Sequence, residues 1–238
     1  MIKSDAIVLH ALRYREDSYM VHLLTREQGQ ISFLVKGHKR KSPLPVILMQ
    51  PFSLLTIVYQ YQTNREFQYI KESSTSDFLN DIPYNPLKNS MVMFLSEMLY
   101  RSLKETHKEP ELFDFIKHSI LYLDKQDKGF ANFHLVFLIK LTHFLGFFPN
   151  LSQFQANVYF DMQNSEFTEQ PTNIHTLNQA QTEAFAQLMR MDYENMYLFE
   201  LSRTQRNEIL EQILIYYKLH LPEFHTIRSL EILQQLFV

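Results

Sequence analysis

Four cations and a histidine crowd into seven residues at Lys36-Gly37-His38-Lys39-Arg40-Lys41-Ser42. On a loop, Lys36, Lys39, Arg40 and Lys41 can reach successive phosphates while Gly37 lets the backbone come close, a contact that reads charge and not base sequence. A solvated surface turn accounts for the same run, because basic runs are common. Arg13 and Arg15, just before the turn at Glu16-Asp17-Ser18, either extend this surface or simply face solvent at a strand end. Four phosphate contacts on a single strand imply a salt slope of about −2.8, so fourfold more salt should weaken binding roughly fifty-fold.

Other residue types offer less. Tyr59, Tyr61, Phe67 and Tyr69 fall on two neighbouring predicted strands, where exposed rings stack on bases and buried ones pack a core, and both readings stay open. Among ten histidines, His134 and His143 lie nine apart and His220 and His225 five apart, without the Glu spacing of a helical zinc site, so structural histidines are expected. With Gly29, Gly37, Gly129 and Gly146 as the only glycines, neither a phosphate-binding loop nor a dinucleotide fingerprint can be written. Ser18, Ser42 and Ser96 lack a nucleophile-elbow context, and the acidic residues show no clustered metal pattern. The expectation is a binding protein, not an enzyme, without metal or cofactor. A metal-dependent nuclease built from carboxylates gathered by folding is the remote alternative.

The elements that must carry the cations follow from composition. Ten basic against six acidic residues through residue 75 give +4, which leaves −7 for the rest of a chain whose total is −3. A cationic front and an anionic back suggest that one part meets a polyanion. Forty-five per cent apolar and 14% aromatic residues supply a packed core. The absence of cysteine excludes disulfides and thiolate metal sites and is compatible with a reducing compartment. No signal-peptide layout opens the chain and no stretch approaches 18 uncharged apolar residues, so the cytosol is expected and a membrane is not.

Residues 6–14, 19–25, 31–36, 52–61 and 67–71 read as five strands, with Gly29 turning a hairpin between the second and third. Five short strands in about seventy residues match a small Greek-key OB barrel. The run Ser73-Ser74-Thr75-Ser76, then Pro83 and Pro86, breaks the strand rhythm, and the period changes to about 3.6. The predicted fold is therefore α+β: a basic OB-fold domain over 1–75 and a helical domain over 76–238. In the first helix Met91, Phe94, Leu95, Met98, Leu99 and Leu103 form the buried stripe, with Glu97, Arg101 and Lys104 opposite. A second helix follows Pro110. A third, 130–145, is apolar nearly all round with Lys140 its only charge, and ends at Gly146 and Pro149. Helices resume near 177–191, 203–220 and 227–237. Between them 150–176 reads as an irregular lobe with one short hairpin around Val158-Tyr159-Phe160 and Glu166-Phe167.

The succession Ala6-Ile7-Val8-Leu9, Tyr14-Arg15-Glu16-Asp17-Ser18, Leu24-Thr25-Arg26-Glu27-x-Gly29, Lys36-Gly37-x-x-Arg40-Lys41-Ser42 and Gln50-Pro51-Phe52 resembles the opening of the DNA repair protein RecO family. Tyr217-x-x-His220-Leu221 and Ile227-Arg228-Ser229-Leu230 agree near the other end. The resemblance implies an N-terminal OB fold and a helical remainder. It also implies a protein that binds and anneals single- and double-stranded DNA, docks on single-stranded DNA-binding protein, and works with RecR to help load the RecA recombinase. Of the family's DNA-binding features the basic loop carries over onto Lys36, Arg40 and Lys41, with Lys39 a local addition. Many members carry a four-cysteine zinc site soon after the segment that here is Gly146-Phe147-Phe148-Pro149-Asn150-Leu151. This chain offers Gln153, Phe154, Ala156 and Asn157 instead, so no zinc is expected and packing of Phe154, Tyr159, Phe160 and Phe167 should hold the lobe.

A DNA-annealing mediator of this kind would also need a hydrophobic pocket rimmed by cations for an acidic, apolar peptide tail, with Lys117, Lys125, Lys140 and Arg206 as candidates. The competing reading is a barrel that serves only as a protein scaffold and touches no DNA.

Overall fold

The computed structural model describes residues 1–36, 42–103, 108–151, 154–155, 157–222, 224 and 226–236. It forms two compact units, one of residues 1–125 with 227–236, the other spanning 126–226.

The first unit begins with β1 (Ile2–Arg15), β2 (Ser18–Thr25), β3 (Gly29–Lys36), β4 (Leu54–Tyr59) and β5 (Ile70–Asp77). All pair antiparallel in the order β3-β2-β1-β4-β5. Gly29, at φ 71°, turns the β2–β3 hairpin opposite Thr25. Closure comes from Gln68, which pairs in parallel with Phe33: its N–H donates to the Ser32 carbonyl (2.9 Å) and its carbonyl accepts from the Leu34 N–H (3.0 Å). The sheet thus becomes the five-stranded OB-type barrel. Alternate residues of each strand, among them Val8, Leu23, Phe33, Val35, Ile57 and Tyr59, fill its core. Phe33 and Tyr59 meet edge-on with centroids 5.2 Å apart.

Two strand limits differ from the sequence reading. The serine run continues β5 to Asp77 by pairing with β4, although beyond Ile70 neither side of that strand carries a buried apolar residue. Residues 67–69 instead form the separate closing segment just before β5.

The first unit continues with α1 (Pro86–Ser102) and α2 (Pro110–Lys125). Pro86 opens α1, and the Asn85 side chain accepts the Leu87 and Lys88 N–H groups. The predicted stripe Met91, Phe94, Leu95, Met98, Leu99 and Leu103 is wholly buried, and Ser96 donates a hydrogen bond from its hydroxyl to the Leu9 carbonyl of β1. The opposite side of α1 is not simply solvated. Glu97 binds Arg101 (2.8 Å) and accepts the Arg228 N–H (3.1 Å), the Ser229 N–H (2.8 Å) and the Ser229 hydroxyl (2.7 Å), holding the segment that leads into the last helix. Lys104 lies outside the described residues.

The second unit holds α3 (Phe133–Leu145), β6 (Tyr159–Asp161), β7 (Glu166–Thr168), α4 (Gln179–Met189) and α5 (Arg203–His220), and the chain returns to the first unit with α6 (Leu230–Leu236). Helix α3 is buried on nearly every side and stops at Gly146, whose left-handed φ of 82° is costly for any residue with a Cβ. Helices α4 and α5 each open with a complete capping box, Asn178 with Gln181 and Ser202 with Gln205. The predicted hairpin is β6–β7, with Phe160 opposite Phe167.

Candidate nucleic-acid interface

Strand register assembles the cations. Arg15 of β1 pairs with Ser18 of β2, which pairs with Lys36 of β3. Paired residues share a face, so Arg15 and Lys36 belong to one cross-strand row, two strand spacings or about 10 Å apart. Arg13 lies in the adjoining row with Tyr19 and Val35, across a bulge. All three cations are exposed, and among the described residues no carboxylate pairs with any of them. Arg13 donates to the Glu16 carbonyl (2.8 Å) and Arg15 lies 5.4 Å over the Tyr14 ring.

Three other cations of the same unit are engaged. Arg26 forms a two-pronged pair with Asp114 (2.5 and 3.2 Å), Lys117 meets Asp77 (2.8 Å), and the fully buried Lys88 binds Asp81 (2.7 Å) and the Asp124 carbonyl (3.0 Å). The row thus has charge available for an external anion. Lys39, Arg40 and Lys41, which follow Lys36 after Gly37 and His38, lie outside the described residues.

The aromatic residues separate. Tyr59 is completely buried and belongs to the core, because it occupies an inward position at the end of β4. Tyr61 and Tyr69 are 42% and 49% exposed, and Arg65 lies 5.6 Å over the Tyr69 ring. Phe67, half-buried, packs against Tyr14, centroids 6.2 Å apart. The sequence reading missed Tyr14 as a neighbour of Phe67. It also missed Gln68, although an amide between two aromatic residues in an extended run signals that they share a face opposite to it.

Among the described residues, the histidines singled out in the sequence are packed against their neighbours in the fold. His134 is buried in α3, and burial together with the charge of Arg206 pushes its pKa down to about 3. His143 stacks on Phe148 at 3.4 Å, and His220 stacks on Phe147 at 4.8 Å with Nε2 2.8 Å from the Met162 carbonyl. His225 lies outside the described residues. In the first unit His10, His22 and Tyr100 form a stacked cluster between the barrel and α1; burial, then the neighbouring His10, lowers His22 to about 4.

In the 150–176 lobe, Phe160 and Phe167 pack at 5.1 Å and Phe154 meets Phe167 edge-on at 5.4 Å. Asp161 is the hub of the lobe. Its carboxylate accepts five hydrogen bonds: from the Gln163 and Asn164 N–H groups, the Asn164 and Asn173 amides, and the Thr172 hydroxyl, at 2.5–3.2 Å. Burial opposes its ionisation, but these donors prevail and hold its pKa at about 2.

Two clefts stand out, one per unit. The first, of about 500 Å³, is ringed by Ile47, Phe78 and Tyr84, all largely exposed, over a floor that includes Leu55 and Val92. The second, of about 440 Å³, lies between α4 and α5 and carries Glu208 and Glu211. Neither lining contains Lys or Arg. Of the cations expected to rim a peptide pocket, Lys117 is engaged by Asp77, Lys140 lies 5.9 Å over Tyr193, Arg206 donates to the Leu201 carbonyl (2.5 Å), and Lys125 is exposed at the end of α2.

Family comparisons match this architecture. The family model described as Recombination protein O N terminal matches residues 1–78, which contain the whole barrel, and Recombination protein O C terminal matches residues 83–229. The chain belongs to the RecO family of DNA repair proteins. It is 42% identical over 238 residues to a DNA repair protein RecO of Bacteroides fragilis, covering 99% of this chain and 98% of that one. It is 40% identical over 237 residues to the RecO protein of Phocaeicola vulgatus, with 99% and 98% covered, and 34% identical over 244 residues to that of Porphyromonas gingivalis, with 100% and 99% covered. The RecO resemblance carried by the motifs at either end therefore extends over nearly the full length. No helix among the described residues is long and apolar enough to cross a membrane.

Proposed function

We propose that this chain is a non-enzymatic recombination mediator that binds and anneals DNA on the barrel, docks on single-stranded DNA-binding protein, and acts with RecR to load RecA on protein-coated single strands in the cytosol. In this reading residues 1–75, which hold most of the barrel, supply DNA affinity and residues 76–238 receive protein partners. The observation that carries it is the exposed row of Arg15 and Lys36, with no carboxylate partner among the described residues. Lys39, Arg40 and Lys41 follow Lys36 by three to five positions in the chain, and the proposal assigns them the same work.

Phosphate neutralisation predicts a definite salt response, because each contact on a single strand contributes about 0.7 to the slope of log affinity against log salt. Reversing Arg13, Arg15 and Lys36 to Glu should lower that slope by about 2 and abolish DNA retention in a mobility shift at 0.15 M salt. Unchanged retention and slope would end the assignment.

A barrel used purely as a protein scaffold is the second reading. It is favoured by the cleft bordered by Ile47, Phe78 and Tyr84, since clustered exposed apolar side chains mark protein contacts. Under it the charge reversals leave DNA behaviour untouched, whereas Phe78→Asp abolishes capture of RecR or single-stranded DNA-binding protein.

A further inference from the structure

We infer that the closing seam of the barrel is a base-stacking platform, formed by Tyr14, Phe67 and Tyr69 with Arg15 and Arg65, which makes this surface prefer unpaired to double-stranded nucleic acid. The inference rests on the DNA reading above and adds to it the class of strand.

The argument begins with Gln68. In the extended run 67–70 side chains alternate, and Gln68 and Ile70 are the buried ones, at 3% and 6% exposure. Phe67 and Tyr69 therefore share the outer face. Buried amides are costly unless satisfied, and this one is satisfied: Nε2 donates to the Gln62 and Arg65 carbonyls (2.9 and 3.1 Å), and Oε1 accepts the Gln62 N–H (2.9 Å). One side chain thus folds the 62–67 loop, while the Gln68 backbone stitches the same segment to β3. Arg65, Phe67 and Tyr69 are presented on an ordered frame at no further ordering cost to a ligand.

The rings have the accessibility and electronics that stacking needs. Tyr14, like Tyr61 and Tyr69, is more than 40% exposed, although an aromatic ring left in water forgoes the burial that would stabilise it. Two of the rings carry a guanidinium within 6 Å of the centroid, Arg15 on Tyr14 and Arg65 on Tyr69, so planar cations lie beside planar rings. The Leu34–Gln68 hydrogen bond sets this group next to the end of β3, where Lys36 and Arg15 share their row. Phosphate donors and base-sized flat surfaces are therefore adjacent. In a duplex each base face is covered by its neighbours, and only an unpaired base can offer a face to Tyr14 or Tyr69. The cations serve both kinds of DNA; the rings serve one.

The test uses the full chain and fluorescence anisotropy at fixed salt, with a 20-nucleotide oligothymidylate, a 20-base-pair duplex, and an abasic 20-mer of the same phosphate count. Tyr14→Leu with Tyr69→Leu should weaken oligothymidylate binding about tenfold for each stack removed, leave duplex and abasic affinities and all salt slopes unchanged, and melt as the parent does. Tyr14→Phe with Tyr69→Phe, which keeps the rings, should bind as the parent. Because the chain has no Trp, oligothymidylate but not the abasic strand should quench its tyrosine emission. Equal losses on oligothymidylate and duplex, or no loss on either, would overturn the platform and leave the backbone reading standing. If the unaltered protein binds none of the three probes, the backbone reading itself fails, and the platform with it.

Discussion

The barrel rim and the 150–176 lobe both expose polar sequence, but they use it in opposite ways. In the barrel, strands of six to fourteen residues bury an apolar core and satisfy their backbones in the ladder, so the side chains of Arg13, Arg15 and Lys36 are not needed to hold the fold. The lobe has two strands of three residues each, too short to be stable by pairing alone, and it spends the Asp161 carboxylate on five internal hydrogen bonds. Charge available for a ligand therefore occurs where the backbone is self-sufficient, and charge is consumed where it is not.

The largest expected effect separates these two uses directly. Asp161→Ala strands several donors and should lower the unfolding free energy in urea by about 3 kcal/mol, whereas Lys36→Ala should change it by less than about 0.5 kcal/mol. Comparable effects of the two would dissolve the contrast.

Acid should strike the regions in different windows. His22 has its folded pKa lowered to about 4, so the unfolded chain takes up its proton first. Stability should begin to fall below pH 6.5 and lose about 3 kcal/mol by pH 4, and His22→Gln should flatten that stretch of the profile. For Asp161, folded near 2, the stabilisation is complete above an unfolded pKa near 4 and disappears as pH drops toward 2. Asp161→Asn should remove about 2 kcal/mol of dependence in that lower window alone, read from urea midpoints between pH 4 and 2. Glu97, held at about 2 against the opposing effect of burial by Ser229, Arg101 and the Arg228 N–H, titrates in the same window, so the flattening should be partial.

The smallest effect is backbone strain. Nothing lies within 4 Å of a Cβ added to Gly146, so Gly146→Ala should cost only the left-handed φ, about 1 kcal/mol in a thermal melt. A larger loss would mean that the helix end is packed more tightly than its open surroundings indicate.

Much of the fold was legible because period-2 and period-3.6 patterns are local. The barrel strands, the α1 stripe, the buried α3 and the β6–β7 hairpin each follow from their own residues. The serine run of β5 was not legible, since beyond Ile70 the strand has no apolar residue on either side and is held by pairing with β4. Glu97 was read as a solvent-facing residue because its partners, Arg228 and Ser229, are more than 130 positions away in the chain. Asp161 was passed over because its donors lie on two turns that meet only after folding.

The sequence by itself determined the element types, the basic front, the absence of thiolates and the family motifs, all properties of residue identity and near-neighbour spacing. Only the tertiary structure decided which charges are available. Arg26 and Arg15 look alike in the chain, but register and packing deliver one to Asp114 and leave the other in a row with Lys36. The physical reason is that pairing energy depends on distance through space, and chain order does not set that distance until the strands have closed.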